Sequence, residues 1–186
     1  MATQVLFLQG AGEGTYDDWD SKLVDSLRRE LGPGYEVRYP RLPDEGDPDF
    51  GRWVASFHQA LAKLDDGAVL VGHSFGATVI ALGLAMTPPA RRLAGVFLIA
   101  PPFFGEGGWD SEEMATGSDL GARLPPETPV RLYQGDQDTD VPPAHLGLYA
   151  KAIPRAVART LPGRDHQLND DLSEVAADIR GLAARP

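Results

Sequence analysis

Apolar residues along the chain fall into two kinds of run. Six short runs, rich in branched side chains, cover residues 5–8, 35–39, 68–71, 95–100, 130–133 and 158–161, and longer segments with helical spacing lie between most of them. The first, third and fourth runs are almost wholly apolar, as strands covered on both faces must be. The second and sixth are more polar and are expected at the edges of a sheet. Trp19, Leu23, Leu27 and Leu31 recur every four residues ahead of Gly32-Pro33-Gly34, and Trp53, Phe57, Leu61 and Leu64 mark a second helix over 50–64. Further helices are predicted over 77–86, stopped by Thr87-Pro88-Pro89, after Pro142-Pro143 through Leu146, Leu148 and Tyr149, and over 170–184. This alternation predicts a doubly wound α/β fold, a mainly parallel six-stranded sheet flanked by helices and joined by right-handed crossovers. One connection breaks the rhythm: residues 101–129 separate the fourth and fifth strands, with Phe103, Phe104 and Trp109 near the start. So long a connection is either a lid or pocket wall that meets substrate, or a cap on the edge of the core.

Composition narrows the partners. At 186 residues the chain suits a single domain, 1–186, with one core around one sheet. A formal charge of −10 opposes phosphate backbones and anionic lipid surfaces, so neither nucleic acid nor a membrane is an expected partner. With no cysteine, disulfides, thiolate metal sites and a cysteine nucleophile are all excluded. The first eight residues lack a basic leader and run straight into a strand, and no apolar run approaches the roughly 20 residues needed to cross a bilayer. A cytoplasmic protein is expected. Association as a homodimer through an exposed patch from Phe103 to Trp109 is one expectation for the oligomeric state.

The candidate chemistry begins at Gly72-His73-Ser74-Phe75-Gly76, set between an apolar strand and a helical run. A strand that turns abruptly into a helix at Ser74 lifts the hydroxyl clear of the sheet and points the first helix amides into the same space. Gly72 and Gly76 have a steric role there, because strand end and helix start approach too closely for side chains. A serine needs a base to take its proton and an acid to hold that base. Of four histidines, His166 alone follows a predicted strand in a loop, in Gly163-Arg164-Asp165-His166. His73 adjoins the serine and is expected to point away from it, while His58 and His145 fall within helices. Asp136, Asp138 and Asp140 follow the fifth strand. Asp138 is the preferred acid, Asp136 is expected to stabilise the turn, and Asp140 fits an N-cap for the helix at Pro142.

An acyl-transfer reaction also needs donors for the developing oxyanion. The Phe75 amide is one, and the Ala11 amide, between Gly10 and Gly12 after the first strand, is the candidate for the other. Gly10 would then lie against substrate. The same glycines are equally consistent with a simple tight connection. Read as a nucleotide phosphate loop, Gly10-Ala11-Gly12-Glu13-Gly14 fails, since Thr15 stands where a third glycine is needed and no acidic residue ends the second strand.

Gln9 to Gly12, Gly72 to Gly76, Gly135 to Pro142 and Gly163 to His166 together resemble the α/β-hydrolase family across nearly the whole chain, and in particular its compact bacterial serine hydrolases without a large cap domain. The resemblance implies a sheet ordered 2-1-3-4-5-6, with nucleophile, acid and base falling on Ser74, Asp138 and His166. It also implies a metal- and cofactor-independent reaction on a small carboxylic ester or related acyl compound. Gln9 departs from the family, where many members place histidine before the oxyanion glycine. A member that keeps the fold but serves only as a binding protein is the alternative.

Overall fold

The structure, a computed structural model, describes residues 2–182. Six strands, β1 (Thr3–Leu8), β2 (Tyr35–Arg38), β3 (Ala68–His73), β4 (Leu93–Ile99), β5 (Val130–Gly135) and β6 (Val157–Leu161), form one sheet in the order β2-β1-β3-β4-β5-β6. Every pairing is parallel. The helices are α1 (Asp20–Leu31), α2 (Phe50–Leu61), α3 (Ser74–Met86), α4 (Leu120–Arg123), α5 (Ala144–Ala152) and α6 (Ser173–Leu182).

Strand alternation sorts the core into two layers. Leu6 and Leu8 of β1, with Leu70 of β3, face α2, α3 and α5, where Trp53, Phe57, Ile80 and Tyr149 pack. Val5, Phe7, Val69 and Val71 face the opposite way, toward Leu23 and Leu27 of α1 and Val175 and Ile179 of α6. Burial on both faces explains why β1, β3 and β4 read as unbroken apolar runs. At the sheet edge, β6 is exposed over its first four residues, as its polarity predicts. α3 lies deepest among the helices, with Phe75 through Leu84 all buried.

The elements depart from expectation where local geometry overrides pattern. β3 continues to His73 and α3 starts at Ser74, three residues before the predicted helix, because the turn at Ser74 is itself the helix N-terminus. Trp19, expected on the buried face of the first helix, instead ends a π-helical turn (Thr15–Trp19) and is 51% exposed. α2 stops at Leu61, although Leu64 is still buried in the turn that follows. Ala100 leaves β4 with φ of 47°, and the last helix waits until Ser173 because Leu168, Asn169 and Asp170 all take positive φ. The predicted end of that helix, 183–184, lies outside the described residues.

Candidate active site

Ser74 sits at a left-handed backbone position, φ 51°, between the extended His73 and the first turn of α3. That conformation is strained for a residue with a side chain and is sustained only where packing imposes it. Here β1 imposes it. A methyl group added at Gly76 would lie 2.2 Å from the Gln9 carbonyl oxygen, and one at Gly72 would lie 2.6 Å from the Ala77 Cα. The bend therefore closes only with glycine at both positions, and it presses the loop after β1 against the serine. A Cβ at Gly10 would lie 3.1 Å from that of Ser74.

His166 and Asp138 arrive from the loops after β6 and β5. The Nδ1 of His166 donates to Asp138 Oδ2 across 2.7 Å, and both residues are largely buried. Asp138 Oδ1 accepts from the amides of Asp140 and Val141, each at 2.9 Å, and Gln134 Nε2 donates to Oδ2. Burial alone would raise the Asp138 pKa. The hydrogen bond and charge of His166, with the two amides, outweigh it and hold the carboxyl below its ordinary value. With Nδ1 committed to the carboxylate, Nε2 is the nitrogen left to exchange protons. His166 and Ser74 border the same cavity, of about 460 Å³, but the Ser74 hydroxyl makes no hydrogen bond to the ring or to any other described residue.

Asp136, expected to stabilise its own turn, instead ties that turn to the loop after β6 by accepting the Gly163 amide at 2.7 Å. Asp140 does not cap α5. The N-cap is Pro143, without a side-chain hydrogen bond, and Asp140 instead borders the cavity.

The loop after β1 is fixed by carboxylates. The Gly10 amide donates to Asp20 Oδ2 at 2.7 Å, and the amides of Gly14 and Tyr16 donate to Glu45 at 3.2 and 3.0 Å. The Gly12 amide is taken by the Glu45 carbonyl at 2.6 Å. These bonds occupy the amides that a phosphate would use. Between them the Ala11 amide has no partner among the described residues, and the Phe75 amide lies in the first turn of α3, where no helical carbonyl stands four residues back. Buried Gln9 donates to Glu45 and accepts from the Leu42 amide, so it braces the loop from behind.

Gly10, Ala11, Phe75 and Trp109 border the cavity, while Phe103 and Phe104 do not. Those two are 6% and 7% exposed: Phe103 packs edge-on against Tyr149, and Phe104 against Phe75. Of the three aromatic residues expected to form an exposed patch, only Trp109 is exposed, at 40%. Pro102 takes their place beside the cavity, its carbonyl accepting from the hydroxyls of Thr78 and Tyr149. Gly12, Glu13, Thr15, Trp19, Val141 and Gln167 also line the cavity without having been expected to, as does His73, which was expected to point away from Ser74. The Asp20 contact was missed as well, although an aspartate opening a helix beside a glycine loop is a signal for amide binding.

A family model described as the alpha/beta hydrolase family matches residues 5–184. Among solved structures, the ydeN gene product from B. subtilis is similar with a TM-score of 0.77 at 18% identity, covering 99% of this chain and 100% of that one. The esterase domain from a Rhodothermus marinus protein gives 0.70 at 19% identity, over 97% and 86% of the two chains. The thioesterase domain from the curacin biosynthetic pathway gives 0.72 at 17%, over 96% and 91%. No curated protein matches the chain. With nearly its whole length matched, on a parallel sheet of order 2-1-3-4-5-6, the chain belongs to the alpha/beta hydrolase family.

Proposed function

We propose that the protein is a serine hydrolase that cleaves a small carboxylic ester or related acyl compound through an acyl-enzyme. The observation that carries this reading is the pairing, in one cavity, of a serine on a strained strand-to-helix turn with a buried His166–Asp138 hydrogen bond. His166 Nε2 takes the Ser74 proton as Oγ attacks the acyl carbon, and the amides of Ala11 and Phe75 receive the oxyanion. The same nitrogen then protonates the departing alcohol. Water, activated in turn by His166, releases the acid. The hydrogen bond from Ser74 to His166 that this chemistry needs is one that unliganded sites commonly leave long and that substrate tightens. An esterase domain and a thioesterase domain among the similar folds fit acyl transfer to water.

A fluorophosphonate probe tests the reading directly. We expect stoichiometric labelling at Ser74, with no labelling of Ser74→Ala and a loss of ester turnover of several decades in that variant. An unlabelled wild-type protein would favour the alternative of a catalytically silent binding protein, which the unpaired Ser74 hydroxyl also permits.

A further inference from the structure

Directly behind the nucleophile lies a second histidine–aspartate pair that the proposed chemistry does not use. His73 is 1% exposed and Asp20 is wholly buried. The Nδ1 of His73 approaches both oxygens of Asp20, at 2.9 and 3.0 Å, and its Nε2 lies 3.0 Å from the backbone carbonyl oxygen of His166. Asp20 Oδ2 also accepts the Gly10 amide. Three segments distant in sequence therefore meet at one imidazole: the loop that offers the Ala11 amide, the residue preceding Ser74, and the loop that carries the base.

A carbonyl oxygen can only accept, so Nε2 carries hydrogen, and an Asp20 carboxylate, which accepts the Gly10 amide as well, calls for hydrogen on Nδ1 too. With neither nitrogen free, this ring cannot relay a proton to or from Ser74. The carboxylates facing it are Asp20 from the start of α1 and Asp138 from the loop after β5, and the His166 ring packs beside it with centroids 4.6 Å apart. Burial alone would make the ring less basic, but the charge and hydrogen bond of Asp20, the His166 carbonyl and Asp138 together raise its pKa.

We infer that His73 and Asp20 are positioning residues: a buried imidazolium–carboxylate clamp that fixes the base loop and the oxyanion loop relative to Ser74. The inference rests on the proposed roles of Ser74, His166 and Asp138. His73 borders the cavity but is 1% exposed, with both ring nitrogens engaged elsewhere, and Asp20 is wholly buried, so loss of the clamp should leave the cavity's affinity for substrate little changed while misplacing the groups that act in the transition state. Displacements of about 1 Å are enough to cost on the order of 100-fold in rate.

The test is turnover of p-nitrophenyl acetate by Asp20→Asn, His73→Asn and His73→Gln, beside wild type and Ser74→Ala. Asp20→Asn and His73→Asn should lower kcat by about 10- to 100-fold with KM changed less than about twofold. The His73→Gln amide reaches the place of Nε2 and can still donate to the His166 carbonyl, so it should recover part of the loss. Folded Asp20→Asn and His73→Asn proteins with wild-type kcat would overturn the clamp while Ser74→Ala stays inactive. An active Ser74→Ala would overturn the underlying chemistry as well. Should the variants fail to fold, the wild type decides by long-range proton–nitrogen NMR at neutral pH. Both His73 ring nitrogens protonated supports the clamp, and one bare nitrogen overturns it.

Discussion

At Gly76 the strand-to-helix turn leaves no room for a methyl group, and the obstacle is backbone, which cannot rotate aside. The nearest atoms are the carbonyl oxygens of Gln9 and Leu8, at 2.2 and 2.7 Å from an added Cβ. Gly76→Ala should therefore destabilise the fold by about 1–3 kcal/mol, the usual cost of overpacking. Gly147, in the interior of α5, has nothing within 4 Å and an exposed surface, so Gly147→Ala should stabilise by about 0.5–1 kcal/mol. Urea unfolding of the two variants measures both, and the opposite signs separate a steric role from a general effect of removing glycine. Placement written in a residue's neighbours was legible in this way: Ser74 at the strand-to-helix turn by its flanking glycines, Asp138 and His166 in the loops after β5 and β6 by the runs that precede them. The pairing of His73 with Asp20 was not, because its partners lie 53 positions apart and meet only once the sheet has formed.

At the scale of elements, the loop leaving β4 shows what periodicity hides. Its length marked it as unusual, yet its aromatic residues read equally well as pocket wall or core, and the structure divides them: Phe103 and Phe104 inward, Trp109 beside the cavity. The anchor is α5. The Phe103 amide donates to His145 Nδ1 at 2.8 Å, and Trp109 packs edge-on against the same ring. An acceptor nitrogen must be unprotonated, and burial lowers the His145 pKa below its ordinary 6.5, although Asp138 pulls the other way. Between the folded value and 6.5 the unfolded chain binds the proton more readily than the folded one. The stabilisation is thus fully present above 6.5 and declines as pH falls from there through the lower folded value. Asp138 acts in a more acid window: its contribution is present above 3.8 and is lost as pH falls through its depressed folded value. Denaturant midpoints measured from pH 6.5 downward, where the contribution of the raised His73 pKa is already complete, should show the first decline in the wild type and a smaller one in His145→Gln, whose side chain does not titrate. Equal declines in the two proteins would remove His145 as the cause.

For the whole molecule, charge distribution bears on which acyl compounds the proposed chemistry at Ser74 would accept. The chain carries a formal charge of −10, and the cavity is bordered by Glu13 and Asp140 with no lysine or arginine in its described lining. The nearby cation Lys22 lies over the outer Trp19 ring rather than in the cavity. Sequence composition made the overall sign plain but not its placement, since Asp140 read as a helix cap and Glu13 as one residue of a glycine-rich loop. A carboxylate-bearing substrate would approach against both local charges and the general field, with no guanidinium or ammonium to receive it. Each unit charge at contact distance is worth about 1 kcal/mol in water, so two partly screened ones should separate anionic from neutral esters of equal size by roughly 10-fold in kcat/KM. Matched p-nitrophenyl esters, one neutral and one ending in a carboxylate, give the comparison. Raising ionic strength should narrow the difference, because the Debye length falls to about 3 Å at 1 M salt. Replacing both side chains, Glu13→Gln with Asp140→Asn, should narrow it at low salt while leaving the neutral ester within about twofold of wild type, as expected for groups that filter charge at the cavity without joining the chemistry.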